Sequence, residues 1–128
     1  MKLEIMPNKS VGKVFFGLER NKVKDIFPGY KGEFKKSKFS KTSTDDFGYC
    51  HVFYDSKDRC NAVEFFEKVE LIYKNMNLFD LRLDDLQSVF PDMKEEYGSY
   101  ISKKYSIGIV FSGNKVESIL VGCEGYYC

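Results

Sequence analysis

The feature that most constrains this chain is an internal repeat at an offset of 63 residues. Leu18, Phe27, Pro28, Lys31 and Glu33 fall on Leu81, Phe90, Pro91, Lys94 and Glu96, while Val23, Ile26 and Phe34 fall on Leu86, Val89 and Tyr97. Five identities over these 17 positions exceed the roughly one expected from ordinary residue frequencies. A repeated unit too small to bury its own apolar surface must pack against its copy. The two copies are therefore expected to share one core.

Each copy reads as a short helix followed by a hairpin. Val14-Phe15-Phe16 is an apolar run closed by Gly17, after which Leu18, Lys22, Val23, Ile26 and Phe27 recur at helical spacing up to Pro28-Gly29. Residues 29–46 are polar and lysine-rich and read as an exposed loop or irregular edge. Residues 47–54 and 62–66 flank the turn formers Asp55 to Arg59 as two arms of a hairpin, with 69–73 continuing the second arm or adding a strand. In the second copy, residues 81–91 place Leu83, Leu86, Val89 and Phe90 on one helical face, with Asp84 and Asp85 in the first turn, where the helix dipole favours acids. A second hairpin, 107–111 with 116–121, turns at Ser112-Gly113-Asn114-Lys115.

The expected architecture is a single α+β domain over residues 1–128, with pseudo-repeats at about 14–73 and 77–122. It comprises a mainly antiparallel sheet of about five to seven strands, one face covered by two short helices. Phe15, Val23, Ile26, Phe27, Phe53, Val63, Leu86, Val89, Phe90, Ile109 and Ile119 form the expected core.

Composition narrows the function. The 21 phenylalanines and tyrosines and 43% hydrophobic content belong to a folded chain and not a disordered one. A formal charge of +1 lacks the basic excess of a nucleic-acid binder, so no nucleic-acid partner is expected. No apolar stretch reaches the roughly 18 residues of a membrane span, and Met1-Lys2-Leu3-Glu4 opens without an apolar signal core. No membrane partner and a cytoplasmic location follow as expectations. Cys50, Cys60, Cys123 and Cys128 are accordingly read as reduced thiols. Their spacing lacks the paired short intervals of a zinc site, and no metal or cofactor is expected.

Catalytic signatures are missing as well. There is no phosphate loop, dinucleotide glycine triplet, His-Glu-x-x-His or Gly-x-Ser-x-Gly. The one histidine, His51, adjoins Cys50 on a strand, where neighbouring side chains face opposite ways. The paired acids Asp45-Asp46, Asp84-Asp85 and Glu95-Glu96 have no evident catalytic partner. The expectation is a protein with no catalytic residues that is not an enzyme.

Charge is polarised along the chain. Residues 1–42 carry a net +7 and residues 43–128 a net −6. Lys31, Lys35, Lys36, Lys38 and Lys41 cluster in the presumed loop, whereas Asp80, Asp84, Asp85, Asp92, Glu95 and Glu96 surround the second helix. Either these are solvated faces attracting each other across the fold, or the acidic group is a docking face for a cationic partner. Tyr97, Tyr126 and Tyr127 add rigid contacts with polar tips, the chemistry enriched at binding hot spots. The C-terminal pair could equally tuck its rings against the sheet. The candidate partner-binding set is Asp84, Asp85, Asp92, Glu95, Glu96, Tyr97, Tyr126 and Tyr127.

Several segments resemble small immunity proteins of bacterial polymorphic-toxin and contact-dependent growth-inhibition systems. They are Val11-Gly12-Lys13-Val14-Phe15-Phe16-Gly17-Leu18, His51-Val52-Phe53-Tyr54-Asp55, Asn61-Ala62-Val63-Glu64-Phe65-Phe66, Ile107-Gly108-Ile109, Val116-Glu117-Ser118-Ile119-Leu120-Val121 and the closing Gly125-Tyr126-Tyr127. The resemblance implies a cytoplasmic, non-catalytic protein that neutralises one cognate toxin domain by stoichiometric binding. Nuclease toxins have cationic clefts, for which an acidic inhibitor face is suited. The overall charge departs from the strongly acidic balance of many nuclease-directed members. The opening strand, Gly17-Leu18 and short helix also resemble exported enzyme inhibitors and envelope-assembly modules, in which the four cysteines would be bridged. A small thiol-dependent enzyme is a third alternative, requiring His51 or a cysteine beside a second polar group in a pocket.

Overall fold

The computed structural model describes residues 1–35 and 37–128. Three short strands, β1 (Lys2–Met6), β2 (Ser10–Val11) and β3 (Val14–Phe15), lead into helix α1 (Arg20–Ile26). The first half continues with β4 (Gly32–Phe34), β5 (Thr44–Asp46), β6 (Cys50–Tyr54) and β7 (Cys60–Phe66). After β8 (Glu70–Tyr73) and β9 (Met76–Asn77), two 3₁₀ turns at Leu78–Asp80 and Leu83–Asp85 run into the single helical turn α2 (Leu86–Val89). The second half ends with β10 (Lys94–Glu96), β11 (Ser99–Ser102), β12 (Ile107–Ser112) and β13 (Lys115–Gly122).

The repeat becomes one antiparallel sheet in the order β10-β11-β12-β13-β7-β6-β5-β4. Each half contributes a four-strand meander, and the two last strands pair antiparallel at the centre, Val63 opposite Val121 and Phe65 opposite Ile119. This is the arrangement an approximate two-fold axis through the sheet produces. The likeness reaches the irregularities. Pairing slips by one residue after Phe53 opposite Ala62 in one hairpin, and after Val110 opposite Ser118 in the other. Each slip leaves an extra residue on the returning strand, the hallmark of a β-bulge.

Alternation along the central strands decides which face is covered. Val52, Val63, Val121 and Ile107 form one inward row, and Cys50, Phe65, Ile119 and Ile109 another. A five-stranded sheet, β3-β2-β1-β8-β9, supplies Ile5, Val11, Val14, Leu71 and Tyr73 to the same contiguous core, which also takes Val23 and Phe27 from the α1 region and Leu86 and Phe90 from the α2 region. Neither half could bury these groups alone, and burial of such side chains contributes about 1.5–3 kcal/mol each.

The mainly antiparallel α+β architecture with two short helices agrees with the sequence reading, but the strand count does not. The described residues form thirteen strands in two sheets rather than five to seven in one. Apart from the five-residue β1, the excess consists of strands of two to four residues, too short to display a period-two pattern. Two of these, β4 and β5, fall in the segment read as a loop. Phe15 is a second correction, being 57% exposed. In the two-residue β3, Val14 points inward and so its neighbour must point out. Ile26 and Val89 pack only partly buried at the core's edge. No described helix is long and apolar enough to cross a membrane.

Candidate functional site

Arg20, at the start of α1, is the most heavily bonded side chain in the first half. Its Nη2 lies 2.7 Å from Oδ1 of Asp45 and 3.0 Å from Oε2 of Glu33, and its Nη1 lies 3.3 Å from Oδ1 of Asp58. Nη2 also donates to Ser43 Oγ at 2.8 Å. The guanidinium sits 4.4 Å from the ring centroid of Tyr54, whose hydroxyl donates to Asp45 Oδ2 at 2.7 Å. Asp45 is fully buried, and a buried carboxylate persists only when paired and hydrogen-bonded. Burial, followed by the Asp45 carboxylate, holds the Tyr54 hydroxyl above the usual tyrosine range. The cluster clamps α1 against the edge strands β4 and β5.

The same place in the second half is built differently. Helix alignment puts Val23 and Phe27 on Leu86 and Phe90, and therefore Arg20 on Leu83. Strand pairing puts Glu33 opposite Asp45 and Glu95 opposite Tyr100. Glu33 thus corresponds to Glu95, one residue away from the match at the 63-residue offset. Tyr54 corresponds to Phe111, and the rings of Phe111 and Tyr100 meet edge to face at 5.7 Å. Even the helix start is repeated: the Arg20 N–H donates to the Asp58 carbonyl, and the Leu83 N–H to Asn114 Oδ1. Where the first half holds a guanidinium, the second has an open cleft of about 380 Å³, lined by Leu83, Asp84, Leu86, Gln87, Met93, Lys94, Glu95 and Tyr100.

The structure brings part of the candidate set together along the β10 edge. Asp84 and Glu95 line the cleft. Glu96 and Asp92 border a groove beside it with Lys94, Ile101 and Lys103. Tyr97 stands fully exposed at the β10–β11 turn, where positive φ at both Tyr97 and Gly98 gives the twist a two-residue hairpin requires. Asp85 is exposed on the neighbouring helical segment. None of Asp84, Asp85, Glu95 and Glu96 has an ion-pair partner among the described residues.

Three candidates sit otherwise. Asp92 spends both carboxylate oxygens internally, accepting from Ser102 Oγ at 2.8 Å and from the Lys104 N–H at 3.1 Å. Tyr126 and Tyr127 lie on the sheet face opposite the core, Tyr127 over Gly108, the cross-strand partner of Ile101. The Tyr126 ring packs on Gly122 and the Tyr127 hydroxyl lies over Gly108, so close that a methyl group on either glycine would collide with it. Burial raises the pKa of both hydroxyls. The cleft's apolar walls, Leu83, Leu86, Met93 and Tyr100, were not among the sequence-based candidates. The replacement of Arg20 by Leu83 in the repeat register was the available signal.

The opposite charges do not meet. Lys31, Lys35, Lys38 and Lys41 lie on or beside β4 and the β4–β5 loop, at the far edge of the sheet from β10; Lys36 lies outside the described residues. Seven strand spacings separate the two edges, roughly 34 Å measured along the sheet.

His51 and Cys50 face opposite sides of β6. His51 sits on the sheet face opposite the core between the rings of Phe34 and Phe66, with Nε2 3.5 Å from Asp46 Oδ1. Cys50 faces the core, and burial raises its thiol pKa. All four cysteines are unbridged. No group of three or more His, Cys, Asp or Glu side chains poised to hold a metal occurs among the described residues. No family model, curated protein or solved structure matches the chain.

Proposed function

We propose that this protein is an immunity protein that neutralises a cognate toxin domain by stoichiometric binding in the cytoplasm, without catalysis. The observation that supports this reading is the β10 edge, where Asp84, Asp85, Glu95 and Glu96 stay solvated and have no ion-pair partner among the described residues, beside the exposed ring of Tyr97. Lys94 and Lys103 line the same grooves, but neither is ion-paired to these acids. An unpaired acidic rim raises the encounter rate with a cationic partner, and nuclease toxins carry such surfaces.

The partner is sought as the product of the adjacent reading frame. Its toxin domain expressed alone is expected to arrest growth, and co-expression of this chain to restore it. Reversing Asp84, Asp85, Glu95 and Glu96 to Lys then slows association at least tenfold and removes its acceleration at low salt, with the urea midpoint unchanged. No rescue of growth, or wild-type association by the reversed variant, overturns the proposal.

A further inference from the structure

The pseudo-two-fold relation supplies an internal reference for the second-half cleft. In the first half, the space between helix start and edge strand is filled by a guanidinium, which takes Glu33 and Asp45 as anions and the Tyr54 ring as a stacking surface. In the second half the edge-strand carboxylate survives as Glu95, while the position of Arg20 is held by Leu83. The fully buried Asp45 is replaced by Tyr100, so no buried charge demands an internal cation. Asp84 adds a second carboxylate to the lining, which also takes Lys94, a side chain with no ion-pair partner among the described residues.

We infer that the cleft between α2 and β10 is a receptor for one arginine side chain of the protein partner, which would enter from outside where Arg20 enters from within. The inference rests on the proposed docking face and specifies what that face grips. The chemistry fits the guanidinium on three counts. Glu95 and Asp84 offer carboxylates that a planar fork can engage with two parallel N–H bonds. The ring of Tyr100 gives a face for cation–π stacking, as Tyr54 does for Arg20. Leu83, Leu86 and Met93 form walls for the three methylenes of an arginine stem. A lysine ammonium, compact and strongly hydrated, gains less from the flat ring and the paired acceptors.

The experiment is a titration of the full chain followed by ¹H–¹⁵N spectra, with three blocked tripeptides as probes: Gly-Arg-Gly, Gly-Lys-Gly and Gly-citrulline-Gly. The arginine peptide is expected to shift the amides of Leu83, Glu95 and Tyr100 and to bind at least fivefold more tightly than the lysine peptide and tenfold more tightly than the uncharged citrulline peptide. Glu95→Gln weakens arginine binding at least fivefold. Leu83→Arg places a guanidinium in the cleft from within and abolishes the response while the remaining spectrum stays that of the folded chain. Equal shifts by arginine and lysine, shifts located elsewhere, or full binding by Glu95→Gln overturn the arginine receptor and leave the acidic docking face standing. Failure of the charge-reversed variant to slow toxin association would overturn the docking face itself, whatever the peptides do.

Discussion

Removing Arg20 tests whether α1 is clamped against β4 and β5 as described. In Arg20→Ala the carboxylate of Asp45, fully shielded from solvent in the native chain, loses its counter-charge. Breaking a buried pair from one side costs about 3–5 kcal/mol, because it leaves an uncompensated charge. Tyr54 still donates to Asp45 at 2.7 Å, which places the expectation at the lower end, about 3 kcal/mol. At about 2 kcal/mol per molar urea for a chain of this size the midpoint falls by roughly 1.5 M, and at about 4 °C per kcal/mol the melting temperature falls by roughly 12 °C. Urea denaturation followed by far-ultraviolet circular dichroism measures the change. The double variant Arg20→Met with Asp45→Asn recovers at least half of the loss, since the stranded charge is then gone. A loss below about 1 kcal/mol in the single variant, the value of an exposed ion pair, would refute the account of Arg20 as a buried clamp.

Two further expectations follow from the pairing and burial. Burial pushes the Cys60 thiol from 9.0 up to about 12, and raises Cys50 and Tyr49 in the same direction. A raised folded pKa on an acidic group means stability is complete below the unfolded value and lost as pH climbs toward the folded one. The urea midpoint in reductant is therefore level to about pH 8 and drops above about pH 9, by at most about 1.4 kcal/mol per pH unit for each such group; a midpoint that rises between pH 9 and 11 contradicts this. Gly108→Val costs about 1–3 kcal/mol by collision with Tyr127, and adding Tyr127→Ala restores most of it in thermal melts; an additive double variant would show that the ring does not pack there.

Much of the architecture was legible locally. The two central hairpins and the apolar stripe of α1 announce themselves because each long strand or amphipathic turn repeats its pattern several times within one element. The repeat at 63 residues foretold two alike units, yet it aligned Glu33 with Glu96, since one fewer residue separates helix from strand in the second half. Only inter-strand pairing reveals Glu95 as the true counterpart. The outer strands β4, β5, β10 and β11 escaped because their segments are polar and brief, and it is pairing with neighbouring strands that makes them strands.

The acidic set was legible as composition and illegible as geometry. Sequence placed Asp84, Asp85, Glu95 and Glu96 in one neighbourhood, where they are found, but could not distinguish them from Asp92, which spends its oxygens on the β11–β12 turn. Tyr97 and the C-terminal tyrosines look alike as residue types. One is thrown outward by a left-handed turn, while the others are drawn onto glycines whose missing Cβ atoms leave room for their rings.

The sequence by itself determined that the chain would form two related units sharing a core, because apolar periodicity and the turn residues act over a few positions and are the same in both copies. The tertiary structure alone decided which repeated position is filled and which stands open. That choice depends on Arg20 meeting Glu33, Asp45 and Tyr54, three groups 13 to 34 residues away along the chain and joined only when the meander folds back. It depends equally on Leu83, an apolar side chain that cannot pair with Glu95 beside it, so that the same fold closes one end of its sheet with its own arginine and leaves the other end to solvent.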